Sequence, residues 1–310
     1  MIALIILKLI LMPVLSPLCV GIIKKWKAIM MNRRGAPIIQ PYRDIWKLLH
    51  KDEVIPEGSS WIFKFVPFFT FSISLLVPVA VPLLATTENV RAFSHPLAVV
   101  YTLGLSAFFF ALAGIDTGSM FGGFGASREM VLSALAEATV ILSVLPAALL
   151  AGAADISTIS AHIDTLPLAH YAPIVIAILA FFIAILGDTL RIPFDNPSSH
   201  HEVTMIHHAM TIEYSGKRLA LLEWASANKL LFVIVLGANI FTPWGIITSS
   251  AVTLHGLLVA AGAIILKVLI VLGAIVLVET RIARFRLFRL PDLLLTSFLL
   301  CAVAVVMTGV

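Results

Sequence analysis

The sequence predicts an all-α polytopic membrane protein with about eight transmembrane helices and a short amphipathic interfacial helix in its first long loop. Three observations predict it. Apolar residues fill 60% of the 310 positions and charged residues only 12%, about half of the roughly 25% with which a water-soluble domain covers its surface. The apolar residues come in runs long enough for helices of roughly 20 residues per crossing, not in the short alternating segments of a β-barrel. The cations sort to one side of those runs. A mean hydropathy of +1.05 also excludes disorder. The length leaves no room for a sizeable soluble domain, so residues 1–310 read as a single integral membrane domain.

The first span, about 2–23, has no basic start, holds Pro13 and Pro17, and runs into basic residues, so it reads as a span and not a cleaved leader. The loop of about 24–61 follows. In it Tyr42, Ile45, Trp46 and Leu49 fall at i, i+3, i+4 and i+7, with Arg43, Lys47 and Lys51 elsewhere, the pattern of a helix lying in the membrane interface. The second span, about 62–85, is bent by Pro67, Pro78 and Pro82. The third covers about 97–115. The loop of about 116–129 contains Gly122-Gly-Phe-Gly125, a tight turn without a phosphate-loop pattern. The fourth, about 130–152, carries Glu137 two turns inside it. The fifth covers about 172–190, and a long loop of about 191–229, rich in His and Glu, leads to the sixth at about 230–250. The seventh, about 254–278, has Lys267 at its middle; an arginine-rich loop of about 279–290 precedes the eighth at about 291–309.

Of the 21 Lys and Arg residues, 17 fall in the four loops just given, Lys64 stands beside the first of them at the start of the second span, one (Arg91) falls in the opposite loops, and two (Lys8 and Lys267) lie within spans. The positive-inside rule therefore makes those four loops cytoplasmic and puts both termini outside. One span more or fewer would scramble the asymmetry.

Ionisable groups inside a membrane are costly and mark function by default. Glu137 reads as a proton-relay or coupling carboxylate, or as one side of an internal salt bridge. Lys267 reads as half of a buried pair with a carboxylate, while Lys8 snorkels to an interface and Asp116 and Glu279 are wet at span ends. The loop 191–229 offers Asp195, Glu202, His208, Glu213 and Glu223; His200/His207 and His201/His208 repeat at i, i+7. That spacing lacks the i, i+4 pair of a zinc helix and has no Cys nearby, so no metal site is assigned. A protonatable His/Glu chain and a polar face for a partner subunit both remain open. The two cysteines, Cys19 and Cys301, are too few for an ordinary iron–sulfur cluster.

Several segments resemble one family in order along nearly the whole chain. They are Arg33-Arg-Gly-Ala-Pro-Ile-Ile-Gln-Pro-Tyr-Arg-Asp-Ile-Trp, Gly125-Ala-Ser-Arg-Glu, Arg191-Ile-Pro-Phe-Asp195, Glu213-Tyr-Ser-Gly216 and the arginine-rich stretch after the seventh span. They are similar to the membrane subunit of respiratory complex I that forms the quinone chamber. Arg-Gly-Ala-Pro, Gly-Ala-Ser-Arg-Glu and Asp-Asn-Pro-Ser-Ser-His-His-Glu resemble more closely the branch found in energy-converting group 4 NiFe-hydrogenases and formate hydrogenlyase-type complexes.

The resemblance implies a membrane anchor and coupling subunit in a prokaryotic inner membrane, linking electron transfer in a docked arm to proton or sodium translocation. It implies an acidic path of Glu137, Asp188, Arg191, Asp195, Glu202, Glu213 and Glu223, and a docking and chamber segment of Arg33, Arg34 and the 40–51 helix, with Gln40, Arg43, Asp44 and Arg128. The NiFe centre and iron–sulfur clusters are expected in hydrogenase large and small subunit homologues and an iron–sulfur subunit, beside antiporter-like membrane subunits, with none bound by this chain. Ser198 and His200 stand where complex I has further glutamates, and His208 where hydrogenase relatives often have Glu, so the path is of mixed His and acid character. A quinone-binding subunit and a stand-alone secondary transporter are the alternatives.

Overall fold

The computed structural model describes residues 2–82, 94–163, 171–195, 205–246 and 254–309. Among the described residues eleven α-helices run in this order: α1 (Ile2–Met30), α2 (Gln40–Leu49), α3 (Trp61–Leu76), α4 (Pro96–Asp116), α5 (Met120–Ala151), α6 (Ile156–Ile163), α7 (Tyr171–Asp188), α8 (His207–Thr211), α9 (Gly216–Phe241), α10 (Leu254–Arg281) and α11 (Leu290–Thr308). Eight of them, all but α2, α6 and α8, are long and apolar enough to cross a membrane, as the sequence predicts. The lipid-facing character is direct: Leu258, Ile270 and Leu299 are large, apolar and exposed on α10 and α11, where water would penalise them.

Alternation of direction brings the ends of α1, α4, α7 and α10 together with the starts of α3, α5, α9 and α11. Hydrogen bonds hold this end. The Asp116 carboxylate, at the end of α4, accepts from the Ser60 N–H at 2.9 Å and the Phe63 N–H at 3.3 Å and so caps α3. It is a structural cap, not the wet terminal acid that its position suggests. Ser215, before α9, donates to the Val54 carbonyl at 3.0 Å.

Two helices start earlier than hydropathy indicates. α5 has 32 residues and begins at Met120, so Gly122-Gly-Phe-Gly125 is helical and not the expected 116–129 turn. The glycines serve close packing: a Cβ at Gly125 would lie 2.8 Å from the Ile206 carbonyl oxygen and 2.9 Å from the Ala209 Cβ, so α8 rests on bare α5 backbone. α9 begins at Gly216, 14 residues before the expected span, and turns the last third of the 191–229 loop into helix. At the other boundary α1 runs to Met30, past the expected loop start at 24. Polar first turns lower the local hydropathy without breaking the helix.

α9 is the central helix, with every residue from Leu230 to Phe241 buried. At the opposite end of the bundle α3 gives way at Pro78 to the 3₁₀ turn Val77–Ala80, the predicted bend. Carbonyls at the end of the turn and just after it need donors in an apolar setting, and three find one. Lys8 Nζ donates to Val81 O at 3.0 Å, Ser94 Oγ to Ala80 O at 2.9 Å and Asn239 Nδ2 to Pro82 O at 2.5 Å. Lys8 is 5% exposed and does not snorkel.

Candidate functional site

A cavity of about 640 Å³ opens at the α2 end, walled by α1, α2, α3, α4, α5, α7, α8, α9 and α10. Its inner wall is apolar, with Val20, Ile73, Leu103, Phe110 and Leu230, and is dotted with the hydroxyls of Thr70, Ser74, Ser106 and Ser226. α2 closes one side through Pro41, Asp44, Ile45 and Leu48. Only part of the expected apolar stripe faces inward: Trp46 is 68% exposed, outside the cavity, and the Tyr42 hydroxyl donates to the Val14 carbonyl of α1.

The charged half is built from ion pairs. Glu279, at the end of α10, takes Lys27 Nζ at 3.0 Å on one oxygen and Arg191 at 3.0 Å on the other, with its side chain 2% exposed. Its terminal position predicts a wet acid; two cations from α1 and from the segment after α7 instead enclose it. Asp188, the last residue of α7, pairs with Lys229 of α9 at 2.8 Å, and the same ammonium donates to the Asp188 carbonyl at 3.0 Å. Asp195 pairs with Arg284 at 3.2 Å and accepts from the Ile206 N–H at 3.0 Å, fixing the chain just before α8. Buried charges persist only when paired and hydrogen-bonded like this. Glu223, Lys24, Arg33 and Asp44 also border the cavity and are exposed, and Gln40 donates to Asp44 at 2.8 Å.

His207 and His208 begin α8 and line the cavity. The His207 ring lies 4.9 Å from that of Phe110 and its Nδ1 is 4.0 Å from Glu129 Oε1. Burial opposes a charge on His207, but the Glu129 carboxylate outweighs it, and the net effect holds the imidazole above its ordinary value of 6.5. Burial pushes His208 down, and the neighbouring His207 charge pushes it further. Burial raises Tyr214, whose hydroxyl donates to the Phe63 carbonyl at 3.1 Å.

Of the sequence-predicted residues, the cavity gathers Asp188, Asp195, His208, Glu223, Arg33, Asp44 and Arg191. Glu137 stands behind it on α5, accepting from Ser133 Oγ at 2.8 Å, with its carboxylate against the bare backbone of Gly104. Glu137 and the Asp188–Lys229 pair are near enough to act on one another electrostatically. Glu213 sits in the α8–α9 turn outside the lining, and Arg34 and Arg43 are exposed on the surface. The Arg128 guanidinium lies 5.9 Å from the Phe124 ring centre. Lys267 is 4% exposed and outside the cavity lining, with its ammonium 4.8 Å from the Trp244 ring centre. Glu202 lies outside the described residues.

Sequence reasoning passed over Lys229, Glu129 and Lys27, each counted only as a loop or end charge. A signal for Lys229 exists: after Ser215-Gly216 no Gly or Pro occurs from 217 to 236, so a helix can start fourteen residues before the apolar run.

A family model described as NADH dehydrogenase matches residues 2–310. The chain belongs to the NADH dehydrogenase family. Within reach of this family membership lie relatives of similar length. The chain is 32% identical over 283 residues to formate hydrogenlyase subunit 4 of Escherichia coli K12, covering 91% of each chain. It is 35% identical over 292 residues to hydrogenase-4 component C of the same organism, covering 94% of this chain and 90% of the relative. NADH-quinone oxidoreductase subunit 8 of Rhodothermus marinus is 29% identical over 218 residues, which is 68% of this chain and 62% of that one. The fold superposes on a chain of the membrane-bound sulfane sulfur reductase, an archaeal respiratory membrane complex, with a TM-score of 0.85 over 98% of both chains at 21% identity.

Proposed function

We propose that this protein is the membrane anchor and coupling subunit of a hydrogenase-type respiratory complex, one that links electron transfer in a docked arm to proton or sodium translocation. The observation that carries the reading is an ionisable lining. It runs from the exposed Lys24, Arg33 and Glu223 to the buried Asp188–Lys229 pair, with Glu137 just behind, in a chain that matches formate hydrogenlyase subunit 4 over 91% of its length. Intramembrane carboxylates beside a cavity are the elements from which proton relays are built. The α2 end faces the cytoplasm by its basic residues, which leaves both termini outside. The docked arm is made of hydrogenase-type subunits carrying the NiFe centre and iron–sulfur clusters, with antiporter-like subunits beside it in the membrane.

Glu137→Gln in the intact complex tests the reading. Assembly is expected to survive, because Gln keeps the volume and the hydrogen bond with Ser133. Ion translocation in reconstituted vesicles is expected to drop at least tenfold, and unchanged translocation overturns the role of Glu137.

A second reading, quinone binding, is favoured by the apolar inner wall, which includes Thr70, whose buried Oγ1 has no hydrogen-bond partner among the described residues. A hydroxyl there suits a carbonyl ligand. Competitive inhibition of the complex by quinone analogues, lost in Thr70→Val, would select it.

A further inference from the structure

One pair of side chains in the cavity wall plays no part in the ion-pair set. Glu129 on α5 is 7% exposed, and its Oε2 is buried with no hydrogen-bond partner among the described residues. Its Oε1 faces His207 Nδ1 at 4.0 Å, about 1 Å beyond hydrogen-bond length. A buried carboxylate with an unsatisfied oxygen is costly unless it takes a donor or a proton. Main-chain packing fixes the partner beside it: Gly125, one turn earlier on α5, admits the Ile206 carbonyl against its bare Cα, which sets His207 over Glu129. The other side of the His207 ring meets Phe110, with ring centres 4.9 Å apart.

We propose that Glu129 and His207 together hold one exchangeable proton, a proton-loading site in the cavity wall additional to Glu137 and the Asp188–Lys229 pair. The inference rests on the coupling function proposed above. In the step itself the Nδ1–H bond of the His207 imidazolium breaks, its electron pair stays on Nδ1, and an O–H bond forms at Glu129. The ionic pair becomes a neutral imidazole and a carboxylic acid with no change in net charge. The reverse step returns the proton. Because the pair conserves charge, its transfer does not incur the cost of moving an unpaired charge through a low-dielectric wall.

The charged surroundings bias the site. α5 contributes Glu129 and Arg128. α9 contributes Glu223, which favours the imidazolium, and Lys229, which opposes it. His208 is the neighbour on α8, with ring centres 5.9 Å apart, and Lys24 of α1 acts on it. Asp195, after α7, is tied to Arg284. α4 presents the uncharged Phe110.

The test needs no turnover. The intact complex is labelled with 15N-histidine and titrated by NMR in detergent micelles or nanodiscs, while infrared difference spectra in light and heavy water follow carboxyl protonation. In Glu129→Gln the His207 midpoint is expected to move down by roughly one pH unit or more, since an opposite charge at this range favours the charged form by that much. A pH-dependent carboxyl band is expected to disappear at the same time. Glu129→Asp retains the acid but retracts it by one methylene, and an intermediate His207 midpoint is expected; it stands in if the Gln variant does not assemble. A His207 midpoint unchanged in these variants overturns the pair, whatever Glu137→Gln does to translocation. If the midpoint moves while Glu137→Gln leaves translocation intact, the coupling role fails and the shared proton stands.

Discussion

The two ends of the helix bundle treat buried polar groups in opposite ways. At the end holding Lys8, Ser94 and Asn239, the polar side chains spend their donors on carbonyls freed by the break in α3. Their chemistry is backbone repair. At the α2 end the charged groups pair with one another across helices, and buried Glu129 Oε2 and Thr70 Oγ1 have no hydrogen-bond partner among the described residues, as Asn239 Oδ1 has none at the first end. A buried Lys is therefore not by itself a functional sign. What it binds decides: a fixed carbonyl makes it structural, a titratable acid in a cavity wall makes it available for exchange.

The sharpest way to break this contrast is Lys229→Met. Removing one partner leaves Asp188 buried and uncompensated, which costs roughly 3–5 kcal/mol of stability. Thermal unfolding of the purified complex should show the loss, and the double variant Asp188→Asn/Lys229→Met should recover most of it. A single variant as stable as the parent would mean the pair is solvated and the cavity is not a low-dielectric site.

Gly125→Ala comes next. Its Cβ would meet the Ile206 carbonyl oxygen at 2.8 Å, so α8 must move, at a cost of about 1–3 kcal/mol. The His207 titration should change as well, because the residue loses its place over Glu129. At the other end Lys8→Met leaves the Val81 carbonyl without its donor and should cost about 1–3 kcal/mol while translocation per assembled complex stays constant. A translocation defect in Lys8→Met would erase the distinction between the ends.

The smallest effect is in pH dependence. His207 sits above 6.5 in the folded protein, so its contribution is complete below 6.5 and is lost as pH rises through its raised folded value. His208 sits below 6.5, so its contribution is present above 6.5 and is lost as pH falls toward its lowered value. The two oppose each other. In His207→Gln only the second remains, and the melting temperature should fall between pH 8 and pH 6 relative to the parent protein. An identical pH profile in the two proteins would show that neither histidine is held as described.

Much of the architecture is legible without coordinates. Eight spans follow from apolar runs, and the bend near Pro78 follows from proline chemistry. Boundaries are less legible where polar residues begin a helix, as at Met120 and Gly216, because hydropathy averages over a window that the backbone does not respect. Individual site residues separate in the same way. Asp188 and Glu137 announce themselves as acids in apolar surroundings. Glu279, Asp116 and Lys8 at span ends look wet or snorkelling, and only the packing of other helices over those ends shows them buried or capping.

The sequence by itself determined the class of protein, the number of crossings, the side that carries the cations and the residue types available for chemistry. These depend on local quantities: the hydrophobicity of a run, its length, and the cost of a charge within it. The tertiary structure decided which charges neutralise which. Lys27 meets Glu279 across 252 positions of sequence and Arg218 meets Glu53 across 165, and no local rule encodes such distances. Whether a buried acid is satisfied or left with an oxygen that no described donor reaches, as Glu129 is, depends on atoms brought from helices that are remote in the chain.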